Sequence, residues 1–307
     1  PMDYLYASYR HRWFTYSWFA ANLDPTRFAI DGEPGYQRRY LAAHRLEVKP
    51  LPRLRIAVSE AIIFGGPEFS SHFAFFNPVT LYHSVQNNGP EGGNTIGTLS
   101  ALWMPFHTLS LYGSVMIDDI QVEYSVPGDM EPDEIGWMLG TIWADPGPVS
   151  GLDLYAEYSR ITNRTYNTPS PWEKWLHRRE PVGHFLGNDF DRLLVGADYW
   201  PRLSWRAGLQ YEHRRRGEGR IENEFDTPWL DYTLEQGYSE PFPTGIVETS
   251  DILSASLTWQ PRWWGRLFMQ ASHWSVANAD HITGNSDSYW TMQAGVQIDW
   301  GAKWQLP

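Results

Sequence analysis

A strict alternation of apolar and polar residues limits how this chain can fold more than any other feature of its sequence. The clearest example runs from Trp290 to Trp300. The apolar face of this segment is Trp290, Met292, Ala294, Val296, Ile298 and Trp300. The polar face is Thr291, Gln293, Gly295, Gln297 and Asp299. Because a β-strand turns successive side chains to opposite faces, the pattern predicts a strand with one apolar and one polar face.

Four further segments carry the same alternation. Their apolar faces are Leu203, Trp205, Ala207, Leu209 and Tyr211; Leu253, Ala255, Leu257 and Trp259; Leu152, Leu154, Ala156 and Tyr158; and Leu109, Leu111, Val115 and Ile117. Segments of this kind are about 9–11 residues long, which is the length that a tilted strand needs to cross a bilayer. In the first segment an aromatic residue stands at both ends of the apolar face, as expected of a stripe between two membrane interfaces.

The same analysis along the whole chain predicts 13 strands. They lie near 2–9, 13–22, 39–48, 54–63, 95–104, 108–118, 134–144, 152–160, 192–200, 203–213, 251–260, 265–275 and 289–300. Short connections (10–12, 49–53, 105–107, 145–151, 201–202 and 261–264) alternate with long ones (23–38, 64–94, 119–133, 161–191, 214–250 and 276–288). Short turns at one rim and long loops at the other are typical of transmembrane barrels, whereas a soluble sandwich has no reason to sort its loops.

We therefore predict an all-β fold: a transmembrane antiparallel up-and-down β-barrel in the bacterial outer membrane, with residues 1–307 forming a single domain. Outer-membrane barrels have an even number of strands and no open edge, since unpaired backbone groups are costly in lipid. The odd count of about 13 therefore predicts about 14–18 strands in the full protein, with N-terminal strands preceding Pro1. A miscount by one strand explains the odd number equally well.

Composition is consistent with this prediction and excludes several classes of protein. The mean hydropathy is −0.46 and no apolar run approaches the length of a transmembrane helix. The aromatic fraction of 16% fits interfacial girdles, although soluble sugar-binding proteins are aromatic-rich as well. The chain has no cysteine, which excludes disulfides and thiolate metal sites. A net charge of −12 without a basic stripe argues against nucleic acid as a partner.

The long connection 161–191 holds the strongest candidates for ligand binding. Its candidate residues are Trp172, Trp175, His177, Arg178, Arg179, His184, Asp189 and Asp191. Exposed tryptophan beside charged side chains suits carbohydrate, because the indole ring stacks on the C–H face of a sugar and charged groups take hydroxyls or uronate carboxylates. The alternative interpretation is that both tryptophans pack inward as a plug or lie at the membrane interface.

Two other charged segments are weaker candidates. The run from His213 to Arg220 includes Arg214 and Arg215 at a strand end, where it would attract an anionic polysaccharide or lipid phosphate or form a solvated rim. Asp118 and Asp119 close another strand and would hold a divalent ion or be solvated. We predict no metal site and no cofactor. The sequence has no catalytic motif that fixes a hydrolase triad or a phosphate loop, so we predict no enzymatic activity.

Several motifs together resemble the Wzi capsule-assembly family of outer-membrane proteins. These motifs are Phe76-Asn77-Pro78, Gln86 to Gly97, Leu111 to Asp119, Arg164 to Asn167, Pro181 to Asp191 and Trp205 to Gly217. The matches cover roughly residues 40–300, and the Gly-His-x-Leu-Gly segment that begins at Gly183 is the most specific. Helical elements that the family has at its N-terminal end are absent from this sequence.

The resemblance implies a closed barrel, of about 18 strands in the best-described member, and a role as a non-enzymatic surface lectin that organises capsular polysaccharide. The leading functional hypothesis is therefore a barrel whose long extracellular loops bind surface polysaccharide. The expected partners are this polysaccharide, outer-membrane lipid and lipopolysaccharide, and other envelope proteins. The alternatives are a pore for small solutes, suggested by the polar inward faces, and a structural subunit of an envelope complex.

Overall fold

The computed structural model describes residues 2–30, 33–67, 74–88, 92–262 and 265–299. The strands are β1 (Asp3–Arg10), β2 (Phe14–Asn22), β3 (Thr26–Ile30), β4 (Glu33–Gln37), β5 (Arg39–Leu51), β6 (Leu54–Gly65), β7 (Asn94–Phe106), β8 (Leu109–Asp119), β9 (Glu134–Ala144), β10 (Leu152–Ile161), β11 (Leu176–His177), β12 (Glu180–Pro181), β13 (Phe190–Arg202), β14 (Trp205–Arg216), β15 (Glu248–Arg262), β16 (Gly265–Ala277) and β17 (Ser286–Ile298). Helix α1 (Tyr82–Asn88) and the 3₁₀ turns at 74–76, Pro127–Met130, Pro228–Asp231 and Ala279–His281 complete the described elements. Among these residues no helix is long and apolar enough to cross a membrane.

Thirteen of the strands form one antiparallel sheet in the order β1-β2-β5-β6-β7-β8-β9-β10-β13-β14-β15-β16-β17. Each of the 13 predicted strands corresponds to one of these, and short connections alternate with long ones as predicted. Two small hairpins were not predicted: β3 with β4, and β11 with β12. Both lie within long connections and are too short to show an alternating pattern. Trp300, predicted to end the last strand, lies outside the described residues, as does the end of the predicted turn 261–264.

The register of the sheet joins the predicted apolar faces into one surface. One row of directly paired residues across it is Leu109, Trp143, Leu154, Ala197, Leu209, Ala255, Ala271 and Met292. This row passes through all five of the segments whose alternation is clearest. The large side chains on the same face are exposed, for example Leu209 at 55% and Met269 at 56%. An exposed, continuous apolar face is what a barrel presents to lipid.

Tryptophan side chains cluster on this apolar face near the short turns. Trp103 and Trp143 are exposed there, and Trp205 stacks on Trp259 across β14 and β15 with 5.6 Å between ring centroids. We call this end of the sheet the turn end, and the opposite end, where the long connections lie, the loop end. The positions of the rings agree with an aromatic girdle at one membrane interface.

The other face of the sheet is polar, and its charges pair with one another across strands. Tyr112 donates a hydrogen bond of 2.8 Å to Glu157, and Arg192 donates to the same carboxylate at 3.3 Å. Arg192 also donates to Glu212 at 3.1 Å, and Arg214 donates to Glu212 at 3.0 Å. This network spans β8, β10, β13 and β14. It therefore ties together strands that are not neighbours in the sheet.

Glycines on the polar face allow aromatic rings to lie close to the sheet. Tyr112 is paired with Gly140 of the next strand, and a Cβ atom at Gly140 would lie 2.2 Å from the Tyr112 ring. Tyr155 is related in the same way to Gly196, where a Cβ atom would lie 2.4 Å from the ring. Because no side chain fits beneath these rings, glycine is needed at both positions.

Two separate hydrophobic clusters form at the loop end, one on each face of the sheet. On the polar face, Ile63, Ile96 and Phe190 pack with residues of the connection between β10 and β13. On the opposite face, Ile62 and Phe64 pack with Phe75 and Tyr82 of the connection between β6 and β7. One long connection thus folds on the polar face of the sheet at the loop end, and the other covers the opposite face of β5 and β6.

We expect a charge on the apolar face to destabilise the protein far more than the same charge on the polar face. Met269 points to the apolar face, and its neighbour Gln270 is exposed on the polar face of the same strand. Met269→Arg should lower the free energy of unfolding in lipid vesicles by about 2–4 kcal/mol. The measurement is a denaturant titration of the full-length protein refolded into vesicles. Gln270→Arg is the matched control, and equal losses in the two variants would contradict the assignment of the faces.

Candidate functional site

The connection 162–189, which we call the inner loop, is fixed inside the loop end by a buried arginine. Arg39, at the start of β5, is 3% exposed and donates a hydrogen bond of 2.7 Å to the carbonyl of Trp172. It also donates to the carbonyl of Lys174. Its third partner is the Asp24 carboxylate, 3.8 Å away. A buried guanidinium needs several acceptors, and here the backbone of the inner loop supplies two of them.

The two candidate tryptophans have different surroundings. Trp175 is 6% exposed and belongs to the hydrophobic cluster that contains Leu41, Ile63 and Phe190. Trp172 is half-buried and donates a hydrogen bond of 3.2 Å from its indole nitrogen to Glu173. The surroundings of Trp175 are those of a residue that packs the inner loop in place.

His177, Arg178 and Arg179 lie on the small hairpin formed by β11 and β12. His177 accepts a hydrogen bond of 3.2 Å from the backbone of Asp24, and the Arg178 amide donates to the Asp24 carboxylate at 2.9 Å. Arg178 and Arg179 turn the hairpin with φ values of 54° and 67°, and both are exposed. Their guanidinium groups are therefore presented to solvent at the loop end.

His184 lies in the Gly-His-x-Leu-Gly segment and has a structural environment. Its ring stacks on Phe190, with 4.5 Å between centroids, and its Nδ1 accepts a hydrogen bond from the Leu186 amide. Burial and the nearby Arg192 and Arg214 together lower the pKa of His184 to about 4. The imidazole is therefore neutral at pH 7.

The first glycine of this segment also has a clear role. A Cβ atom at Gly183 would lie 2.2 Å from the ring of Tyr166, which is 3% exposed. The Tyr166 hydroxyl accepts a hydrogen bond of 3.2 Å from the His184 amide. Burial raises the pKa of Tyr166 to about 12. The motif thus brings Gly183 and His184 into contact with Tyr166, which lies earlier in the same inner loop.

Asp189 joins the inner loop to the connection 217–247. Its side chain is completely buried and accepts hydrogen bonds from the amide of Gly219 at 2.9 Å and the amide of Thr244 at 3.0 Å. The Thr244 hydroxyl donates to it as well. A buried carboxylate surrounded by donors is well satisfied, so Asp189 holds two loops together.

The other three predicted residues lie on opposite faces of β13 and β14. Asp191 pairs with Arg215 and accepts a hydrogen bond of 2.9 Å from Tyr158 on the apolar side. Arg214 points to the polar side, where it pairs with Glu212. Of the ten predicted residues, eight are thus collected on or beside the inner loop, but they do not form one pocket. Their role in binding stays a prediction.

A cavity of about 540 Å³ opens at the loop end next to the inner loop. We call it the acidic cavity. Its lining residues are His83, Gln86, Gly93, Asn94, Thr95, Asp118, Asp119, Gly128, Glu131, Glu134, Asn167, Thr168, Pro169, Phe225, Thr227, Trp229 and Leu230. This volume lies within the range of about 300–1,000 Å³ that is usual for small-molecule sites. None of the ten predicted binding residues lines it.

The carboxylates of the cavity come from the two ends of one connection. Asp118 and Asp119 end β8, Glu134 begins β9, and Asp119 pairs with Glu134 in the sheet. Asp118 accepts a hydrogen bond of 2.6 Å from the Tyr166 amide. Burial and the Asp119 carboxylate together raise the pKa of Glu131, in the connection between these strands, to about 7. The cavity therefore concentrates carboxyl groups, and their burial and mutual proximity favour the protonated forms.

The aromatic wall of the cavity is held by another buried arginine. Arg164 is 4% exposed, and its guanidinium lies 4.7 Å from the ring centroid of Trp229 and 5.4 Å from that of Phe225. It donates hydrogen bonds to Asp226 at 2.6 Å and to Glu240 at 3.1 Å. This arrangement fixes the connection 217–247 against the inner loop.

Sequence reasoning singled out Asp118 and Asp119 but missed Glu131, Glu134 and the aromatic wall. One signal was available: carboxylates flank both ends of the connection 120–133, and paired strands bring those ends together. Nothing local in the sequence linked Trp229 to this place. In the part of the chain that the structure describes, no group of three or more His, Asp or Glu side chains is arranged to hold a metal ion.

The fold and the site together define a class of protein: an outer-membrane β-barrel whose long connections pack into its loop end. The chain belongs to the Wzi capsule-assembly family, whose model, described as capsule assembly protein Wzi, matches residues 1–288. The predictions of the family, the fold class and the outer-membrane location are thereby confirmed. A search of curated protein sequences gave no significant match.

Among solved structures, Wzi of Escherichia coli is similar, with a TM-score of 0.58 and 13% identity. It is described as an outer membrane protein involved in group 1 capsule assembly and as a carbohydrate-binding β-barrel. The alignment covers 94% of this chain and 56% of the Wzi chain, so the chain spans just over half of that protein's length. At this level of identity the similarity shows the fold.

Two other outer-membrane proteins align with lower scores. The outer membrane channel DcaP of Acinetobacter baumannii has a TM-score of 0.43 and 11% identity, and the alignment covers 96% of this chain and 83% of DcaP. A Pseudomonas aeruginosa FadL homologue has a TM-score of 0.38 and 12% identity, with 95% and 75% covered.

We expect Asp189→Ala to loosen the connection 217–247 without unfolding the sheet. The change leaves two buried backbone amides without an acceptor, at a cost of about 1–3 kcal/mol each. The measurement is the rate of thermolysin cleavage within 217–247 in folded, detergent-solubilised full-length protein, which should rise. Asp231→Ala, at an exposed position of the same connection, is the control. Equal cleavage rates in both variants would show that Asp189 does not hold the loop.

We expect Glu131 to make stability depend on pH. Its pKa of about 7 in the folded state exceeds the ordinary value of 4.5, so the folded protein binds the proton more tightly than the unfolded chain. This contribution is complete below pH 4.5 and is lost as the pH rises through 7. The groups that face or adjoin Glu131 in the cavity are Asp118, Asp119, Glu134, His83 and Arg164.

Glu131→Gln should therefore reduce the fall in melting temperature between pH 4.5 and pH 8, because the variant side chain does not titrate. The measurement is a series of thermal unfolding curves of the full-length protein in detergent. Glu123→Gln, at an exposed position in the same connection, should leave the fall unchanged. An unaltered pH dependence in Glu131→Gln would contradict the burial of this carboxyl.

Proposed function

We propose that this protein binds surface or capsular polysaccharide at its loop end and organises it at the cell surface without catalysing a reaction. The observation that carries the proposal is the acidic cavity, where carboxylates, amides and aromatic rings face one another. Gln86, Asn94 and Asn167 bring amide groups, and Phe225 and Trp229 bring ring faces. Sugar hydroxyls need donors and acceptors, and the C–H face of a sugar ring packs on aromatic rings.

Family membership supports the same function. The chain belongs to a family described by capsule assembly, and the Wzi of Escherichia coli with the same fold is described as a carbohydrate-binding β-barrel. A polysaccharide outside the cell would meet the loop end of an outer-membrane barrel first, because long connections face the extracellular side. The apolar outer wall would contact lipid and lipopolysaccharide, and other envelope proteins are further candidate partners.

The ten residues predicted from sequence divide into two proposed roles. Arg178 and Arg179 are exposed and would contact the polysaccharide directly, together with Arg215, His177 and the half-buried Trp172. Trp175, Asp189 and Asp191 are buried, and His184 and Arg214 are mostly enclosed. These five would position the loops that carry the contacts.

The pore hypothesis is the less favoured alternative. Arg206, a polar-face residue that suggested a channel, donates a hydrogen bond of 2.7 Å to Asp198, and Gln210 accepts one of 3.3 Å from Tyr155. Side chains that pair with each other attract passing solutes less. The inner loop and its hydrophobic cluster also occupy the loop end. Both observations favour a binding protein over a channel.

We expect the purified surface polysaccharide of the host to bind the full-length protein saturably. The double variant with Arg178→Ala and Arg179→Ala should bind about three- to ten-fold more weakly, since each exposed ionic contact contributes about 0.2–1 kcal/mol. Phe225→Ala should weaken binding by a factor of about two to ten through the loss of ring stacking. Isothermal titration calorimetry in detergent measures the affinity of the unchanged protein and of both variants.

The control is the double variant with Arg10→Ala and Arg12→Ala, two exposed positions at the turn end. It should bind like the unchanged protein. If the folded protein binds no host polysaccharide, the proposed function is wrong. If the turn-end variant loses as much affinity as the others, binding does not occur at the loop end.

A further inference from the structure

The acidic cavity has a charge balance that restricts what it can bind. Its lining contains four carboxylates, those of Asp118, Asp119, Glu131 and Glu134. Among the described lining residues the single basic side chain is that of His83. The nearby Arg164 is already engaged by Asp226 and Glu240. A cationic group that reaches these carboxyl groups would stabilise their ionised forms, whereas an anionic sugar such as a uronate would gain no such partner.

Glu134 is the side chain that most clearly lacks a partner. It is 4% exposed and lines the cavity, and it has no hydrogen-bond donor or ion-pair partner among the described residues. Its electrostatic neighbours are mainly other carboxylates, Asp118, Asp119 and Glu131. Burial and the neighbouring carboxylates favour the protonated form of Glu134, and a bound cation would stabilise its ionised form instead.

A second polar group in the cavity is also without a partner. Thr95 lines the cavity and is 6% exposed, and its hydroxyl has no hydrogen-bond partner. The other carboxylates differ from Glu134, because Asp118 is bonded to the Tyr166 amide and Asp119 to the amide of Ile120. Because the Thr95 hydroxyl is enclosed by protein, Glu134 is the group that a ligand in the cavity could satisfy.

The kind of cation follows from the rest of the lining. Among the described residues no group of three or more His, Asp or Glu side chains is arranged to hold a metal ion, so we consider an organic cation. The volume of about 540 Å³ suits a ligand of several sugar-sized groups. Asn94 and Asn167 offer hydrogen bonds to hydroxyls, and Phe225 and Trp229 offer an apolar wall. A polyhydroxylated ring with an ammonium group fits the carboxyl groups, the amides and the aromatic wall of the cavity together.

We propose that the acidic cavity binds a sugar unit that carries a positively charged amine, with the ammonium group at the Glu134 carboxylate. The inference rests on the proposed function and specifies the chemistry of one subsite. It divides the loop end by charge, because the exposed Arg178 and Arg179 attract acidic groups while the cavity selects basic ones. A polysaccharide with both kinds of unit would be held in one orientation.

The test uses a short glucosamine oligomer as the probe, titrated into the full-length protein in detergent at pH 7. The N-acetylated oligomer of the same length, spermidine and calcium chloride are titrated separately. We expect the glucosamine oligomer to bind roughly ten-fold or more tightly than its N-acetylated counterpart, because the amide has lost the charge. Glu134→Gln should weaken the binding of the glucosamine oligomer by a similar factor and leave the binding of the N-acetylated oligomer unchanged. Glu123→Gln is the matched control and should bind like the unchanged protein.

The outcomes separate this inference from the proposed function. Equal affinity for both oligomers, or no effect of Glu134→Gln in a folded protein, overturns the inference. Spermidine or calcium that binds at Glu134 more tightly than the sugar also overturns it, since the ligand would then be a polyamine or a metal. If host polysaccharide binds while the glucosamine oligomer does not, only the inference fails. If neither binds, the proposed function fails with it.

Discussion

Inside a bilayer every backbone amide and carbonyl of a spanning segment must find its partner within the protein, and the fold of this chain follows from that requirement. Between neighbouring strands of the sheet it is satisfied through twelve successive antiparallel pairings. The same pairings set the register, and the register decides which side chains meet lipid. A slip of one residue would turn an entire apolar face inward. The pairing of the backbone therefore also determines which side chains form the apolar surface.

The loop end depends on a different balance, in which a few buried charges hold backbone segments that have no regular structure. Arg39 binds two carbonyls of the inner loop, Asp189 binds amides of the connection 217–247, and Arg164 joins the two through Asp226 and Glu240. Each is nearly inaccessible to water. Buried charged groups are costly without hydrogen-bond partners, so these three favour the arrangement of the loops that supplies such partners.

The sequence was sufficient for the main strands and insufficient for the site, for a physical reason. Alternation is local, and lipid enforces it, so all 13 main strands could be predicted within a few residues. The short hairpin of β3 and β4 has no such repeat. The cavity depends on contacts between distant segments: Glu134 meets Asp119 only through the register, and Trp229 reaches the cavity through Arg164. Sequence also left open whether Trp175 faces inward, which its packing beside Leu41 decides.

The joining of the inner loop to the connection 217–247 has a consequence for how such proteins diversify. Neither segment can change freely, because Lys174 donates to the carbonyl of Asn223 and Asp189 receives the amides of Gly219 and Thr244. A related protein that adapts to a different surface glycan would have to change both segments together, while the strands beneath remain as they are. Exchanging one of these loops between relatives should therefore fail, whereas exchanging the pair together should transfer a working surface.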